Sequence, residues 1–137
     1  MVALVSLVAC NDVRDFDGRW AGARVGDTAP VRIGLANDAS ATLTVTALDR
    51  LVFRGTLDVE GLCTGAQLST IPGATADRLG SLSFDGAPLR VYLSFVATTD
   101  GGGDAMAFIA LFDDDRIELR LVRGGPSPVY AIFALTR

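Results

Sequence analysis

Apolar and polar positions alternate along most of the chain with a period of two residues. Within 41–47, threonines alternate with Leu43 and Val45, and within 116–122 charged residues alternate with apolar ones. This alternation is typical of β-strands that bury one face. Turn-forming pairs such as Asp-Gly, Asn-Asp and Pro-Gly separate the alternating segments at regular spacing. The pattern predicts eight to ten short strands, at residues 16–24, 30–36, 41–47, 51–59, 66–70, 79–84, 89–98, 105–112, 116–122 and 128–136.

None of the segments has the apolar stripe of an amphipathic helix, so the pattern predicts an all-β protein. The short connections favour antiparallel pairing. We expect residues 16–137 to form a single β domain, either an antiparallel up-and-down barrel or, as the alternative, a two-sheet sandwich. Residues 62–78 have weak periodicity and a Pro-Gly pair, which predicts a long irregular connection with one short strand.

The only tryptophan, Trp20, lies in the first predicted strand, within the sequence DGRWAG at 17–22. This Gly-x-Trp setting resembles the opening strand of lipocalin-like barrels. In that family the tryptophan closes one end of the barrel, and an arginine from near the last strand covers it. The resemblance implies a lipocalin-like barrel closed by Trp20, with Arg123 or Arg137 stacked on the indole as a cation–π pair.

The chain begins with an uncharged apolar run at residues 2–9. A helix needs about 20 residues to cross a bilayer, so the run is too short to span one. Its length matches the apolar core of a signal peptide. The alternative is an ordinary first strand followed by a buried thiol at Cys10.

The apolar run ends in Leu7-Val8-Ala9-Cys10, which resembles the lipobox of bacterial lipoproteins. In that family a signal peptidase cuts before the cysteine, and the thiol carries lipid. The resemblance implies that residues 1–9 are a signal peptide remnant and that residues 10–15 are the lipidated Cys10 and a tether.

Further expectations depend on the lipobox. Lys and Arg are absent before the run, so we expect the true start codon upstream of Met1. By family analogy, Asn11 after the cysteine favours sorting to the periplasmic face of the outer membrane. If Cys10 carries lipid, Cys63 is expected to be a small buried side chain. Without lipid, an oxidising compartment would permit a Cys10–Cys63 disulfide.

The composition removes the usual catalytic residues. All 12 basic residues are arginines, and histidine is absent. A Ser-His-Asp triad, a Schiff-base lysine and an imidazole metal ligand are therefore excluded. The two cysteines are too few for a zinc site, and a net charge of −4 argues against nucleic-acid binding. We expect a protein without enzymatic activity, cofactor or metal, although paired carboxylates would permit a hydrolase.

Two acidic loops, at 100–104 and 113–115, are rich in the oxygen ligands that calcium prefers. They flank the predicted strand 105–112, which is about 26 Å long at about 3.3 Å per residue, so they cannot form one site together. Asp and Gly are also the residues that tight turns require. We therefore interpret both loops as turns.

The predicted strand 105–112 reads AMAFIALF and is apolar on both faces, as the last strand nearly is. A barrel strand should be more polar outside, so we expect the outer face of these strands to be covered. Either a partner or the chain itself could cover it. An exposed apolar patch usually marks an interaction site. The candidate interaction residues are Ala107, Ile109, Leu111, Tyr130 and Ile132.

The first functional hypothesis is a lipid-anchored, non-catalytic envelope protein that binds a small apolar or amphipathic ligand inside the barrel. The alternative is a structural or interaction lipoprotein, such as an inhibitor or assembly factor, that docks on another envelope protein. Large inward side chains would fill the barrel, and an inward-pointing arginine would indicate an anionic ligand. The candidate filling residues are Phe53, Phe84, Phe95, Phe108 and Phe133.

Overall fold

The computed structural model describes residues 13–25, 34–48, 53–70, 83–84, 87–88, 91–98, 104–113 and 115–137. Their backbone forms a 3₁₀ helix at Val13–Phe16 and a series of short strands. The strands are β1 (Gly18–Arg24), β2 (Ser40–Ala47), β3 (Phe53–Val59), β4 (Cys63–Thr70), β5 (Ser83–Phe84), β6 (Ala87–Pro88), β7 (Val91–Thr98), β8 (Asp104–Asp113), β9 (Arg116–Arg123) and β10 (Val129–Thr136).

Eight of these strands close into a barrel in the order β1-β10-β9-β8-β7-β4-β3-β2. Every neighbouring pair is antiparallel, and β5 and β6 form a separate two-stranded hairpin. Strands that are adjacent in the barrel follow one another along the chain, apart from the closing pair β1 and β10 and from β4 and β7, between which β5 and β6 intervene. The predicted all-β, antiparallel up-and-down barrel is confirmed, and the sandwich alternative is wrong.

The alternating sequence forms a barrel because one face of each strand packs into a common interior. On β2, Ala41, Leu43 and Val45 are buried, while Thr42 and Thr44 between them are partly exposed. A side chain of the size of Leu43 or Val45 contributes about 1.5–3 kcal/mol when it leaves water. The most deeply buried large side chains are Phe16, Trp20, Leu43, Leu57, Ile117, Leu119, Leu121, Phe133 and Leu135.

The strand register separates the barrel into two ends. At the tryptophan end lie the start of β1, the turn from β2 to β3 and the end of β10, where Ala21 pairs with Thr136. At the hairpin end lie the end of β1, the β3–β4 hairpin and the β9–β10 hairpin, where Arg123 pairs with Val129.

Two sequence-based strand predictions are wrong in part. Residues 34–36, expected in a strand, form a bend, and residues 30–33 lie outside the described part of the chain. The short strand predicted at 66–70, within a segment expected to be mostly irregular, is a longer barrel strand that begins three residues earlier, at Cys63–Thr70. A register shift in the β3–β4 pairing breaks the alternation there, and Gly65 has a φ of 59° in the left-handed region.

Residues 1–12 lie outside the described residues, so the predictions for the lipobox and for Cys10 are not addressed by the fold. Across the ranges that the structure describes, there is no helix of the length and apolarity that a membrane span would require.

Candidate functional site

The tryptophan end of the barrel is sealed. Trp20 is completely buried, and its indole Nε1 donates a 2.8 Å hydrogen bond to the carbonyl oxygen of Phe16. Phe16, on the 3₁₀ helix, is also completely buried. Gly18 joins this helix to β1 with a φ of 120°, a conformation that favours glycine. The indole and the helix thus form one plug across this end.

Arg137 is the arginine that covers Trp20. Its guanidinium carbon lies 4.2 Å from the centroid of the indole ring, within the range of a cation–π contact. Two hydrogen bonds fix this position, from Nη1 to the carbonyl of Asp17 at 3.0 Å and from Nη2 to that of Asp15 at 2.8 Å. The arginine therefore links the last strand to the segment that precedes β1.

The alternative that Arg123 covers Trp20 is wrong. Arg123 ends β9, and the antiparallel register places it opposite Val129 at the hairpin end. There its Nε donates to the carbonyl oxygen of Ser127 at 2.9 Å. Both arginines lie close to the last strand in the sequence. Because β9 runs towards the hairpin end, Arg123 at its end cannot cover Trp20 at the opposite end.

The hairpin end has smaller inward side chains than the tryptophan end. Among the described residues, the buried side chains near the hairpins are Leu62 and Leu121 together with the smaller Ala41, Val59, Cys63, Ala97, Ala107, Val129 and Ala131. Gly22 holds an inward register position opposite Ala41 and Leu135. Large side chains therefore fill the sealed half of the barrel, whereas the other half combines small side chains with Leu62 and Leu121.

An open cleft of about 760 Å³ lies at the hairpin end. The β3–β4 hairpin forms one side of it, including Asp58 and Glu60, and Arg123 also lines it. Asp58 accepts a 2.8 Å hydrogen bond from the backbone N–H of Gly65. Glu60 accepts bonds of 3.2 Å from the backbone N–H and the hydroxyl of Ser40. These carboxylates stabilise the hairpin and its attachment to β2.

Arg24 holds an inward position that the sequence analysis did not predict. It ends β1 in register with Phe133, and the alternation Trp20, Gly22, Arg24 gives it an inward position. Its Nη1 donates to the carbonyl oxygen of Leu35 at 2.6 Å. The signal was the spacing of four residues from the buried tryptophan, which places both on the same face of a strand.

The predicted interaction face mixes two sides of the sheet and is corrected by the register. Ala107 is completely buried and pairs with buried Leu121. Ile109 pairs with Leu119 and Leu111 with Ile117, so both hold inward register positions. Directly opposed residues share a face. Of the five candidates, Tyr130 and Ile132 alone lie on the outer face, where they are partly buried.

The outer face beside Tyr130 and Ile132 carries an ion pair. Glu118 and Arg120 on β9 form a 2.6 Å salt bridge, and the register places Ile132 beside Arg120. Val122, beside Tyr130, is 37% exposed. This surface is therefore apolar with one neutralised charge pair.

The remaining predicted residues fall in different places. Phe133 is completely buried and Phe53 packs partly buried against the core, while the side chains of Phe84, Phe95 and Phe108 lie outside the described set. Cys63 is buried, and its thiol donates to the carbonyl oxygen of Leu57 at 3.6 Å.

The two acidic loops lie largely outside the described residues. Asp104 and Asp113 mark opposite ends of β8, which agrees with the expected separation of the loops. The residues that the structure describes contain no group of three or more side chains that could together bind a metal ion.

Comparison of the chain with models of protein families, with curated proteins and with solved structures finds no match in any of the three. The geometry of the barrel is therefore the basis for its functional interpretation.

Proposed function

We propose that the protein is a non-catalytic binding protein of the bacterial envelope that holds a small apolar or amphipathic molecule in the hairpin-end half of its barrel. The observation that carries the proposal is the difference between the two ends. Trp20, Phe16 and Arg137 seal one end. The cleft lies at the other end, where the buried Val59, Leu62 and Cys63 line it together with polar residues. Ligand sites are typically concave and apolar with a few polar groups.

The proposal includes a lipid anchor on Cys10, which the LVAC sequence at residues 7–10 supports. Acyl chains contribute about 0.8 kcal/mol per buried methylene, so more than one chain anchors a protein firmly. We expect the chain, expressed in a bacterium behind a complete signal peptide, to sediment with membranes and to incorporate labelled fatty acid. The Cys10→Ser variant should do neither. Cys63→Ser is the matched control and should behave as the unchanged chain. Labelling that persists in Cys10→Ser would contradict the anchor.

The binding proposal is tested by native mass spectrometry of the Cys10→Ser chain after export to a bacterial periplasm and purification without detergent. We expect an additional mass that is lost on denaturation and that identifies the ligand class. Ala131→Leu should abolish it, because the added methyl groups extend into the small-residue half of the barrel. Ala134→Leu is the matched control, since Ala134 lies on the same strand and is exposed.

Two results would contradict the binding function. One is a clean apo mass for the unchanged chain after incubation with a bacterial lipid extract. The other is an additional mass that Ala131→Leu retains at full occupancy while its thermal transition shows it to be folded.

A second candidate function is docking on another envelope protein. The partly buried outer residues Tyr130 and Ile132, with exposed Val122 beside them, support it. Cross-linking in cells at Val122, compared with exposed Thr46 on β2, would distinguish this surface from the rest of the barrel. A clean dimer mass in the spectrum above would instead indicate a second copy of the chain.

A further inference from the structure

The chain enters the barrel at the sealed end. The 3₁₀ helix Val13–Phe16 packs against β2 there, and β1 begins at Gly18 directly after it. The last residue of the helix, Phe16, is completely buried and accepts the hydrogen bond from the indole of Trp20. The residues before Val13 therefore connect to the domain at the plug, and the cleft lies at the other end.

Hydrogen bonds from three strands hold this entry segment on the barrel. Arg137, directly after β10, donates to the carbonyl oxygens of Asp15 and Asp17 at 2.8 Å and 3.0 Å. The carboxylate of Asp17 accepts a 2.7 Å hydrogen bond from the backbone N–H of Ala47 at the end of β2. Trp20 on β1 supplies the third attachment through its indole N–H. The domain therefore cannot pivot on the entry segment without breaking these bonds.

Very little chain separates this fixed segment from the lipid proposed on Cys10. The link from Cys10 to Val13 is three residues, which span at most about 11 Å at about 3.6 Å per residue. The two ends of the barrel are separated by an eight-residue strand such as β10, which is about 26 Å long at about 3.3 Å per residue. The link is thus much shorter than the barrel wall, and an anchor in the bilayer holds the sealed end close to the lipid.

Leu48 gives the sealed end an apolar contact for the lipid. It follows Ala47 at the end of β2 and is 53% exposed. Because Ala47 is hydrogen-bonded to Asp17, Leu48 lies beside the segment through which the chain enters from the anchor. Leucine is among the side chains with which proteins enter the boundary between lipid headgroups and acyl chains. The exposed leucine is therefore placed where a bilayer would cover it.

Exposure alone does not single out the sealed end. Within the described ranges, the other exposed large apolar side chains are Val25 and Val122. Val25 follows β1 and its N–H bonds to Ile132, while Val122 lies one residue before the end of β9, so both belong to the hairpin end. Contact of Val122 with the lipid would require the barrel to lie on its side, and the experiment below distinguishes that arrangement.

We infer that the sealed end of the barrel lies on the membrane surface, with Leu48 among the lipid headgroups, and that the cleft opens away from the bilayer. This inference rests on the proposed lipid anchor at Cys10 and adds the orientation of the barrel. The partner of the sealed end is the surface of a phospholipid bilayer. A ligand of the barrel then enters from the aqueous side, because Trp20 and Phe16 close the end that faces the membrane.

The test is fluorescence quenching on the lipidated chain, expressed behind a complete signal peptide and purified from membranes. Cys63→Ser leaves no free thiol once Cys10 carries lipid, so a cysteine introduced at an exposed position takes a single fluorophore. The chain is reconstituted on vesicles of phosphatidylethanolamine and phosphatidylglycerol that contain a lipid with a nitroxide on its headgroup. We expect the fluorophore at Leu48→Cys to lose most of its emission. The fluorophore at Ser127→Cys, exposed between β9 and β10, should keep its emission.

Two matched variants test the contribution of Leu48. Leu48→Ser should reduce the quenching of a fluorophore at Thr46→Cys, which is exposed at the same end of the barrel. Val122→Ser removes an exposed apolar side chain of the hairpin end and should leave that quenching unchanged. Thermal transitions of each variant report on folding. An equal effect of the two serine variants would overturn the contact assigned to Leu48.

Two outcomes on the folded, vesicle-bound chain would overturn the orientation and leave the anchor intact. One is equal quenching at Leu48→Cys and Ser127→Cys, and the other is stronger quenching at Val122→Cys than at Leu48→Cys. A purified chain that lacks the added lipid mass, or that does not float with the vesicles, would overturn the anchor itself. The two failures are therefore distinguishable.

Discussion

Replacing Trp20 with alanine should lower the free energy of unfolding by about 4 kcal/mol, the range for truncating a fully buried large aromatic side chain. The indole is completely buried, and its loss leaves a cavity at the sealed end of the barrel. The substitution also leaves the carbonyl of Phe16 without the 2.8 Å hydrogen bond from the indole N–H. Chemical denaturation, followed by circular dichroism because the only tryptophan is removed, measures the change.

Arg137→Gln should destabilise the same plug less than Trp20→Ala does. It removes the cation that lies 4.2 Å from the indole centroid but leaves the buried ring in place. An exposed cation–π contact contributes about 0.5–1 kcal/mol, so this variant should lose about 1 kcal/mol. If Trp20→Ala and Arg137→Gln unfold at the same denaturant concentration, the indole is not the main element of the plug.

The sequence correctly predicted those strands that bury one face and leave the other face partly exposed. On β2 and β9, polar side chains separate the buried ones, so the pattern of a single strand reveals both its extent and its inward face. The first strand was predicted to begin at residue 16, whereas β1 begins two residues later, at Gly18. Phe16 belongs to the 3₁₀ helix, and its carbonyl oxygen accepts the hydrogen bond from Trp20.

The inward face of β8 could not be predicted from β8 alone. Its sequence is apolar at successive positions, so the pattern does not indicate which alternate residues face the interior. The register with β9 decides, since Leu119 alternates with charged neighbours and pairs with Ile109. A pairing argument across the short β8–β9 turn would have corrected the predicted interaction face.

Arg24 shows a different limit of prediction from sequence. The alternation along β1 is sufficient to give Arg24 an inward position, but the hydrogen bonds that orient it come from Leu35 and Tyr130, far along the chain. The bond to Tyr130 depends on closure of the barrel through the pairing of β1 with β10. Contacts of this kind follow from the topology, not from local spacing.

Replacing Gly22 with alanine should separate β1 from β10 along their paired edges, the seam of the barrel. We expect the free energy of unfolding to fall by about 3 kcal/mol or more, at or above the upper range for overpacking a core. A Cβ at this position would lie 1.9 Å from the carbonyl oxygen of Ala134 and 2.9 Å from its carbonyl carbon. The obstacle is backbone, so no side-chain rotation relieves it. Relief requires a shift of β10 relative to β1, and this pair is one of those that close the barrel.

Gly124→Ala is the matched control, since no atom lies within 4 Å of a Cβ there and its φ is not in the left-handed region. It should change the free energy of unfolding by less than about 0.5 kcal/mol. Hydrogen exchange adds a local measurement, because a seam that opens should exchange the amide of Val25, which bonds to Ile132, faster than those of β3. Equal stability of the two variants would show that β1 and β10 can separate without loss.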